Sequence, residues 1–86
     1  MNEGEKPNII PAEIERQFRG IVEMSIKSNA FLSTKPLKYK VGSQVWIPKL
    51  EDRNIEILKG VANVYLVRTT RGEYHICDEE DIQTIN

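Results

Sequence analysis

The spacing of apolar residues changes once along this chain, and that change constrains the fold more than any other feature. Between residues 12 and 28, apolar side chains recur at intervals that place them on one face of a helix. They are Ile14, Phe18, Ile21, Val22 and Ile26. Pro11 suits the first turn of a helix, where its missing N–H costs nothing. The sequence therefore predicts an amphipathic helix over about residues 11–28.

After Pro36 the helical period is replaced by short β-rich runs that are separated by turn residues, which is typical of a small sandwich or barrel. The predicted strands lie near residues 38–40, 44–48, 55–59, 61–70, 73–77 and 82–85. Arg71-Gly72 is a candidate hairpin turn, because glycine adopts the positive φ that such turns require. The run from Asp78 to Asp81 is predicted to form one helical turn capped by Asp78.

The length of 86 residues leaves room for one hydrophobic core, so residues 11–86 are predicted to form a single domain. Residues 1–10 are polar and are predicted to form a flexible arm. A single cysteine, no apolar leader and no run of about 18 apolar residues lead us to expect a cytoplasmic protein without a membrane segment.

Three segments of the second half resemble the SH3-like small barrels, the group that includes KOW and Tudor modules. The first is Tyr39-Lys40-Val41-Gly42-Ser43-Gln44-Val45-Trp46-Ile47, the second is Gly60-Val61-Ala62-Asn63-Val64, and the third runs from Tyr74 to Ile82. The second is expected to be a strand leaving a tight turn. The resemblance covers residues 38–85 and implies a mostly β fold, an antiparallel SH3-like barrel with the N-terminal helix packed on it. Members of this group mostly bind peptides, proteins, RNA or DNA, so the resemblance implies a binding module.

Charge is unevenly distributed along the chain, although the net charge is only −1. Residues 35–71 carry eight bases against three acids, whereas the tail from Gly72 carries five acids and no Lys or Arg. A nucleic-acid site in the basic segment would combine cations with exposed rings. The candidate residues are Lys38, Lys40, Arg68, Arg71, Tyr39 and Tyr65. Scattered, solvated charge is the alternative that we favour.

Trp46 is expected to point away from the face that Val45 and Ile47 share, because side chains alternate along a strand. It is either an exposed anchor for a protein partner or covered by the apolar stripe of the helix. We favour the interpretation in which the helix covers it.

No set of residues identifies a reaction, a cofactor or a small-molecule ligand. His75 and Cys77 share a strand face, but no second His or Cys is present to complete a metal site, so we interpret them as structural residues. The acidic run from Asp78 to Asp81 lacks the spacing of a calcium loop and is interpreted as a solvated turn. No nucleophile, base and orienting group can be assembled, so no enzymatic activity is expected.

The function that these observations favour is a small interaction module that binds a protein partner or a second copy of itself near Trp46. Its small size suits an accessory protein of a phage or another mobile element. The alternative is a nucleic-acid-binding barrel that uses residues 35–71.

Overall fold

The structure, a computed structural model, describes residues 10–31 and 36–85. The chain forms a helix, α1 (Ala12–Ser28), followed by four strands. These are β1 (Gln44–Ile47), β2 (Asp52–Val61), β3 (Val64–Arg68) and β4 (Tyr74–Asp78). The fold is mixed α and β. The arm predicted over residues 1–10 lies outside the described residues, apart from Ile10.

Helix α1 begins directly after Pro11, whose carbonyl accepts a hydrogen bond from the Glu15 N–H at 3.1 Å. Acidic residues occupy its first turn and Lys27 its last turn, which is the arrangement that the helix dipole favours. The helix ends at Ser28, and the N–H of Asn29 donates to the carbonyl of Ser25. The predicted helix over residues 11–28 is confirmed to within one residue.

The four strands form one antiparallel sheet in the order β1-β2-β3-β4, so each strand pairs with the next along the chain. The register shifts between Val45 and Ile47 in β1, and again between Ile57 and Lys59 in β2. Irregularities of this kind increase the twist of the strands and bend the sheet.

Two separate strands form where strands were predicted at residues 55–59 and 61–70, but their bounds differ, and the turn expected before Val61 is wrong. Strand β2 continues through Gly60, and the turn is formed by Ala62, at a φ of 60°, and Asn63. Position 60 of the strand needs glycine, because a Cβ atom there would lie 2.8 Å from the Tyr65 ring. The glycine therefore makes room for an aromatic side chain.

Residues 38–40 do not form the predicted strand. The Tyr65 hydroxyl instead accepts hydrogen bonds from the backbone N–H groups of Lys38 and Tyr39, at 3.0 and 3.2 Å. The Tyr39 hydroxyl in turn donates to the carbonyl of Ile82 at 2.9 Å. Side-chain hydroxyls, rather than a strand ladder, therefore fasten this segment to the sheet.

The predicted last strand, residues 82–85, is reduced to one bridge between Gln83 and Trp46 of β1. Each of the two residues donates its N–H to the other's carbonyl, at 2.9 and 2.8 Å. No pairing joins β1 to β4 among the residues that the structure describes. The N-terminal helix and the antiparallel sheet are confirmed, but the closed barrel is not.

Both locally encoded turns are confirmed. Gly72 has a φ of +86°, and its N–H donates to the carbonyl of Thr69 at 2.9 Å. The segment Glu79–Asp81 forms a short 3-10 helix, and the Asp78 carboxylate accepts a hydrogen bond from the Glu80 N–H. The Asp81 carboxylate completes a capping box by accepting from the Asp78 N–H.

The sheet has an apolar cluster on each face. The inner cluster contains Tyr39, Val45, Ile47, Ile55, Ile57, Tyr65, Val67, Cys77 and Ile82. The outer cluster contains Phe18 and Val22 of the helix with Val64 and Leu66 of β3, and Ile10, Ile14, Ile26, Leu58, Tyr74 and Ile76 pack against it. Ile21, which was expected on the packed helix face, is 41% exposed. The helix therefore covers the outer face of the sheet around β3.

Candidate functional site

Trp46 lies on strand β1 between the buried residues Val45 and Ile47 and is itself only partly buried. It does not belong to the outer cluster that the helix covers. The interpretation in which the helix covers Trp46 is therefore wrong, because α1 packs around β3 and not over β1. The expectation that Trp46 points away from the face of Val45 and Ile47 agrees with its absence from the inner cluster.

An open cavity of about 590 Å³ lies beside Trp46, and we call it the Trp46 cleft. Its lining residues are Trp46, Pro48, Glu51, Asp52, Arg53, Thr70 and Arg71. The guanidinium carbon of Arg53 lies 4.4 Å from the centroid of the Trp46 ring, which is a cation–π contact. The cleft thus combines an aromatic surface and a proline with two arginines and two acids, of which Asp52 is engaged by hydrogen bonds within the chain.

The Asp52 carboxylate holds the two sides of the cleft together. One of its oxygens accepts hydrogen bonds from the Thr70 N–H at 3.0 Å and from the Thr70 hydroxyl at 2.7 Å. The other accepts from the Asn54 N–H at 2.8 Å. These bonds hold the pKa of the Asp52 carboxyl below its usual value, and the bond from the Thr70 hydroxyl has the largest effect. The start of β2 is in this way tied to the hairpin between β3 and β4.

A second open depression, of about 340 Å³, adjoins the Trp46 cleft at Thr70. It is lined by Gln44, Asn54, Glu56, Arg68, Thr69, Thr70 and Gly72. Arg68 donates to the Glu56 carboxylate at 2.8 Å across the β2–β3 pair. Because this partner holds the Arg68 guanidinium, the second depression is less suited to a charged ligand than the Trp46 cleft.

Tyr39 and Tyr65, the rings predicted to be exposed for stacking, are core residues. They are only 7% and 0% exposed, and their rings contact each other edge to face with centroids 5.8 Å apart. The expectation that these rings are exposed for stacking on a partner is therefore wrong. Their hydroxyls instead bond to the backbone, as described above.

The predicted basic residues fall into two places. Lys38 and Lys40 lie in the segment before β1, and the Lys38 ammonium is 5.6 Å from the Tyr39 ring. Arg68 ends β3, and Arg71 follows in the next hairpin. Of these four residues, Arg71 lines the Trp46 cleft and Arg68 the depression beside it.

Sequence reasoning missed Arg53 as the cation beside Trp46. Its position beside Trp46 depends on the pairing of β1 with β2, where Val45 opposes Ile55 and Ile47 opposes Asp52. A regular hairpin drawn around Pro48–Leu50 would pair Trp46 with Asp52, so the register shift that brings Arg53 to Trp46 had no signal in the sequence.

Cys77 is buried on strand β4, and His75 on the same strand is partly buried. Burial, reinforced by the negative charge of Asp81, raises the pKa of the Cys77 thiol to about 11, which keeps it protonated and unreactive at neutral pH. His75 lies 3.5 Å from the Glu73 carboxylate at the surface. Within residues 10–31 and 36–85, no group of three or more His, Cys, Asp or Glu is placed to hold a metal ion.

The helix that the structure describes is neither long enough nor apolar enough to cross a membrane. In comparisons with known proteins, the chain matches no protein-family model, no curated protein and no solved structure.

Proposed function

We propose that this protein is a non-enzymatic interaction module that binds a protein partner through the Trp46 cleft. The observation that carries the proposal is that the helix covers the outer face of the sheet around β3 but not Trp46, which borders an open cavity. Tryptophan and arginine are enriched among the residues that contribute most to protein binding. The cleft presents one tryptophan and two arginines.

The geometry of the cleft favours a partner segment that carries an apolar side chain next to a carboxylate. Trp46 and Pro48 offer apolar surface, and Arg53 and Arg71 stand beside them. Stacking on Trp46 occupies a face of the Arg53 guanidinium and leaves its in-plane N–H donors for a carboxylate, which accepts two parallel hydrogen bonds. The bonds of Asp52 to Thr70 order the cleft before binding, which lowers the entropy lost on association.

The finer fold that we propose is an open variant of the SH3-like arrangement. The four-stranded antiparallel meander, the 3-10 turn after β4 and the bridge from Gln83 back to Trp46 support it. Binding is the usual role of that group, although a fold by itself does not establish a function.

The test is selection of random peptides on the purified protein, followed by anisotropy titration of the enriched peptides. We expect enriched peptides to carry an acidic residue near an apolar one. Trp46→Ala and Arg53→Ala are each expected to weaken binding at least tenfold without changing the far-ultraviolet circular dichroism. Lys27→Ala, on the exposed helix surface, is the matched control and should bind as the unmodified protein does.

Two results would contradict the proposal. One is the failure to enrich any peptide, and the other is binding that Trp46→Ala leaves unchanged. Light scattering on the same samples addresses self-association. A dimer mass that Trp46→Ala reduces to the monomer would identify a second copy of the chain as the partner at the cleft.

A second candidate function is binding of single-stranded nucleic acid. The observation in its favour is that Arg53 and Arg71 lie at the cleft beside a ring that is not fully buried. Stacking on aromatic rings beside cations is the usual mode of such binding. Titration of Trp46 fluorescence with oligonucleotides at two salt concentrations tests it, because phosphate contacts weaken steeply as salt rises. Salt-insensitive or absent binding would eliminate this candidate.

A further inference from the structure

Strand β4 is an edge of the sheet, because it pairs with β3 on one side and with no other strand among the residues described. Its outer-face residues Tyr74 and Ile76 pack against the outer cluster. An edge strand offers main-chain donors and acceptors to an incoming strand. The direction of the β4 main-chain groups and the charge around them decide which kind of strand can pair with this edge.

Two hydrogen bonds at the ends of the β3–β4 pair determine which main-chain groups of β4 face away from β3. The Thr69 N–H donates to the carbonyl of Glu73, and the Glu79 N–H donates to the carbonyl of Asn63. In an antiparallel pair, bonded and non-bonded positions alternate, so the odd-numbered residues from 73 to 79 bond to β3. The main-chain groups of Ile76 therefore point out of the sheet edge.

The N–H and the carbonyl of Ile76 form no hydrogen bond to any part of the chain that the structure describes. The next even-numbered position is different, because the Asp78 N–H donates to the Asp81 carboxylate at 3.4 Å. The outward-facing groups are therefore centred on Ile76. An incoming antiparallel strand would make a pair of hydrogen bonds with this residue.

The charge around this edge selects the kind of strand that it can accept. Acidic residues stand at both ends of β4, and no Lys or Arg occurs from Gly72 to Ile85. They are Glu73, Asp78, Glu79, Glu80 and Asp81. Lys49 offsets part of this charge by lying 3.6 Å from Asp81.

Neither a second copy of β4 nor the chain's own N-terminal segment fits this charge pattern. In a symmetric antiparallel dimer with Ile76 facing its counterpart, Glu73 of one copy would stand opposite Glu79 of the other, and like charges directly opposite each other are destabilising. The N-terminal segment carries Glu3 and Glu5 against a single lysine, so it is also acidic. The acidic charge around β4 favours a basic segment of another protein as the occupant.

We propose that the β4 edge binds a basic, extended segment of another protein as an additional antiparallel strand. The segment places a β-branched apolar residue opposite Ile76, where it extends the outer cluster, and Lys or Arg residues next to the acids at both ends of β4. This surface is separate from the Trp46 cleft, which lies beside β1 and for which we proposed a partner that carries a carboxylate. The protein would thus hold an acidic partner segment and a basic one at different places.

The probe is a nine-residue peptide with two lysines at each end and an alternating Thr-Val centre. Its partner probe has glutamates in place of the lysines. We expect the lysine peptide to bind with an affinity that decreases as salt rises, and the glutamate peptide not to bind. Amide hydrogen exchange by NMR is expected to show slower exchange of the Ile76 N–H when the lysine peptide is bound.

Charge reversal by Glu73→Lys with Glu80→Lys is expected to weaken binding of the lysine peptide at least tenfold, since both side chains are exposed and flank the strand. The matched control is Glu13→Lys with Glu23→Lys on the exposed helix surface, which should leave binding unchanged. The proposal is overturned by equal binding of the two peptides, by no binding at millimolar concentration, or by binding that leaves the exchange of the Ile76 N–H unchanged. Trp46→Ala should not alter this binding, which separates it from the function proposed for the cleft.

Discussion

Replacing Tyr65 with phenylalanine tests how the segment before β1 is held to the sheet. The Tyr65 side chain is completely buried, and its hydroxyl accepts hydrogen bonds from the backbone N–H groups of Lys38 and Tyr39. Phenylalanine keeps the ring but leaves both donors without this acceptor. A buried donor left unsatisfied costs about 1–3 kcal/mol, and the N–H of Lys38, which is only part-buried, recovers some of this from water. We expect Tyr65→Phe to lower the free energy of unfolding by about 2 kcal/mol.

The assay is urea and thermal unfolding followed by circular dichroism, with Tyr39→Phe as the matched control. For a domain of this size, 2 kcal/mol corresponds to a decrease in Tm of roughly 8–16 °C. Tyr39→Phe removes only the donor to the Ile82 carbonyl and should cost about 1 kcal/mol. The reasoning is refuted if Tyr65→Phe unfolds within about 0.5 kcal/mol of the unmodified protein, a difference that the loss of a buried acceptor does not permit.

Two further predictions concern the glycines and the Trp46 cleft. Gly60→Ala is expected to destabilise the protein by about 1–3 kcal/mol, because the added methyl group meets the Tyr65 ring. Gly20→Ala should instead stabilise it by about 0.5–1 kcal/mol, because nothing lies within 4 Å of that position in the helix. Equal effects of the two substitutions in urea unfolding would contradict this prediction. Asp52→Asn should lower Tm at neutral pH, because the folded-state pKa of Asp52 is depressed and its ionised form stabilises the fold above the unfolded-state pKa. The difference in Tm between the two proteins should shrink as pH decreases below about 4, and a constant difference down to pH 2 would show that the charge is irrelevant.

The elements that depend on neighbouring residues could be predicted from the sequence. The apolar spacing after Pro11 gave the extent of the helix to within a residue. Gly72 and Asp78 marked a hairpin and a capped turn because the conformations they favour depend on a few adjacent residues. Each of these features was confirmed.

The errors arose where a distant residue determines the local conformation. Gly60 resembles a turn residue in the sequence, but it lies within β2, where the Tyr65 ring occupies the space that a side chain would need. Segment 38–40 resembles a strand, but two tyrosine hydroxyls take the place of a strand ladder. Only the packed structure contains these contacts.

The candidate site could be predicted only in part, because some of its contacts also depend on residues that are distant in the sequence. Trp46 could be recognised because strand alternation gave its direction relative to Val45 and Ile47. Arg53 could not, because its position beside Trp46 depends on the register of the β1–β2 hairpin. Tyr39 and Tyr65 were assigned to the surface because composition does not distinguish a core tyrosine from an exposed one.

Strand β3 contributes alternate side chains to the two apolar clusters, Val64 and Leu66 to the outer one and Tyr65 and Val67 to the inner one. The helix is attached to the sheet through the outer cluster, which leaves the inner cluster between the strands and the segments of Tyr39 and Ile82. Detachment of α1 would therefore expose Leu66 but keep Val67 covered. We therefore expect a partial opening in which the helix detaches first and the sheet persists. Amide protection should then be lower in the helix than in the centre of β3.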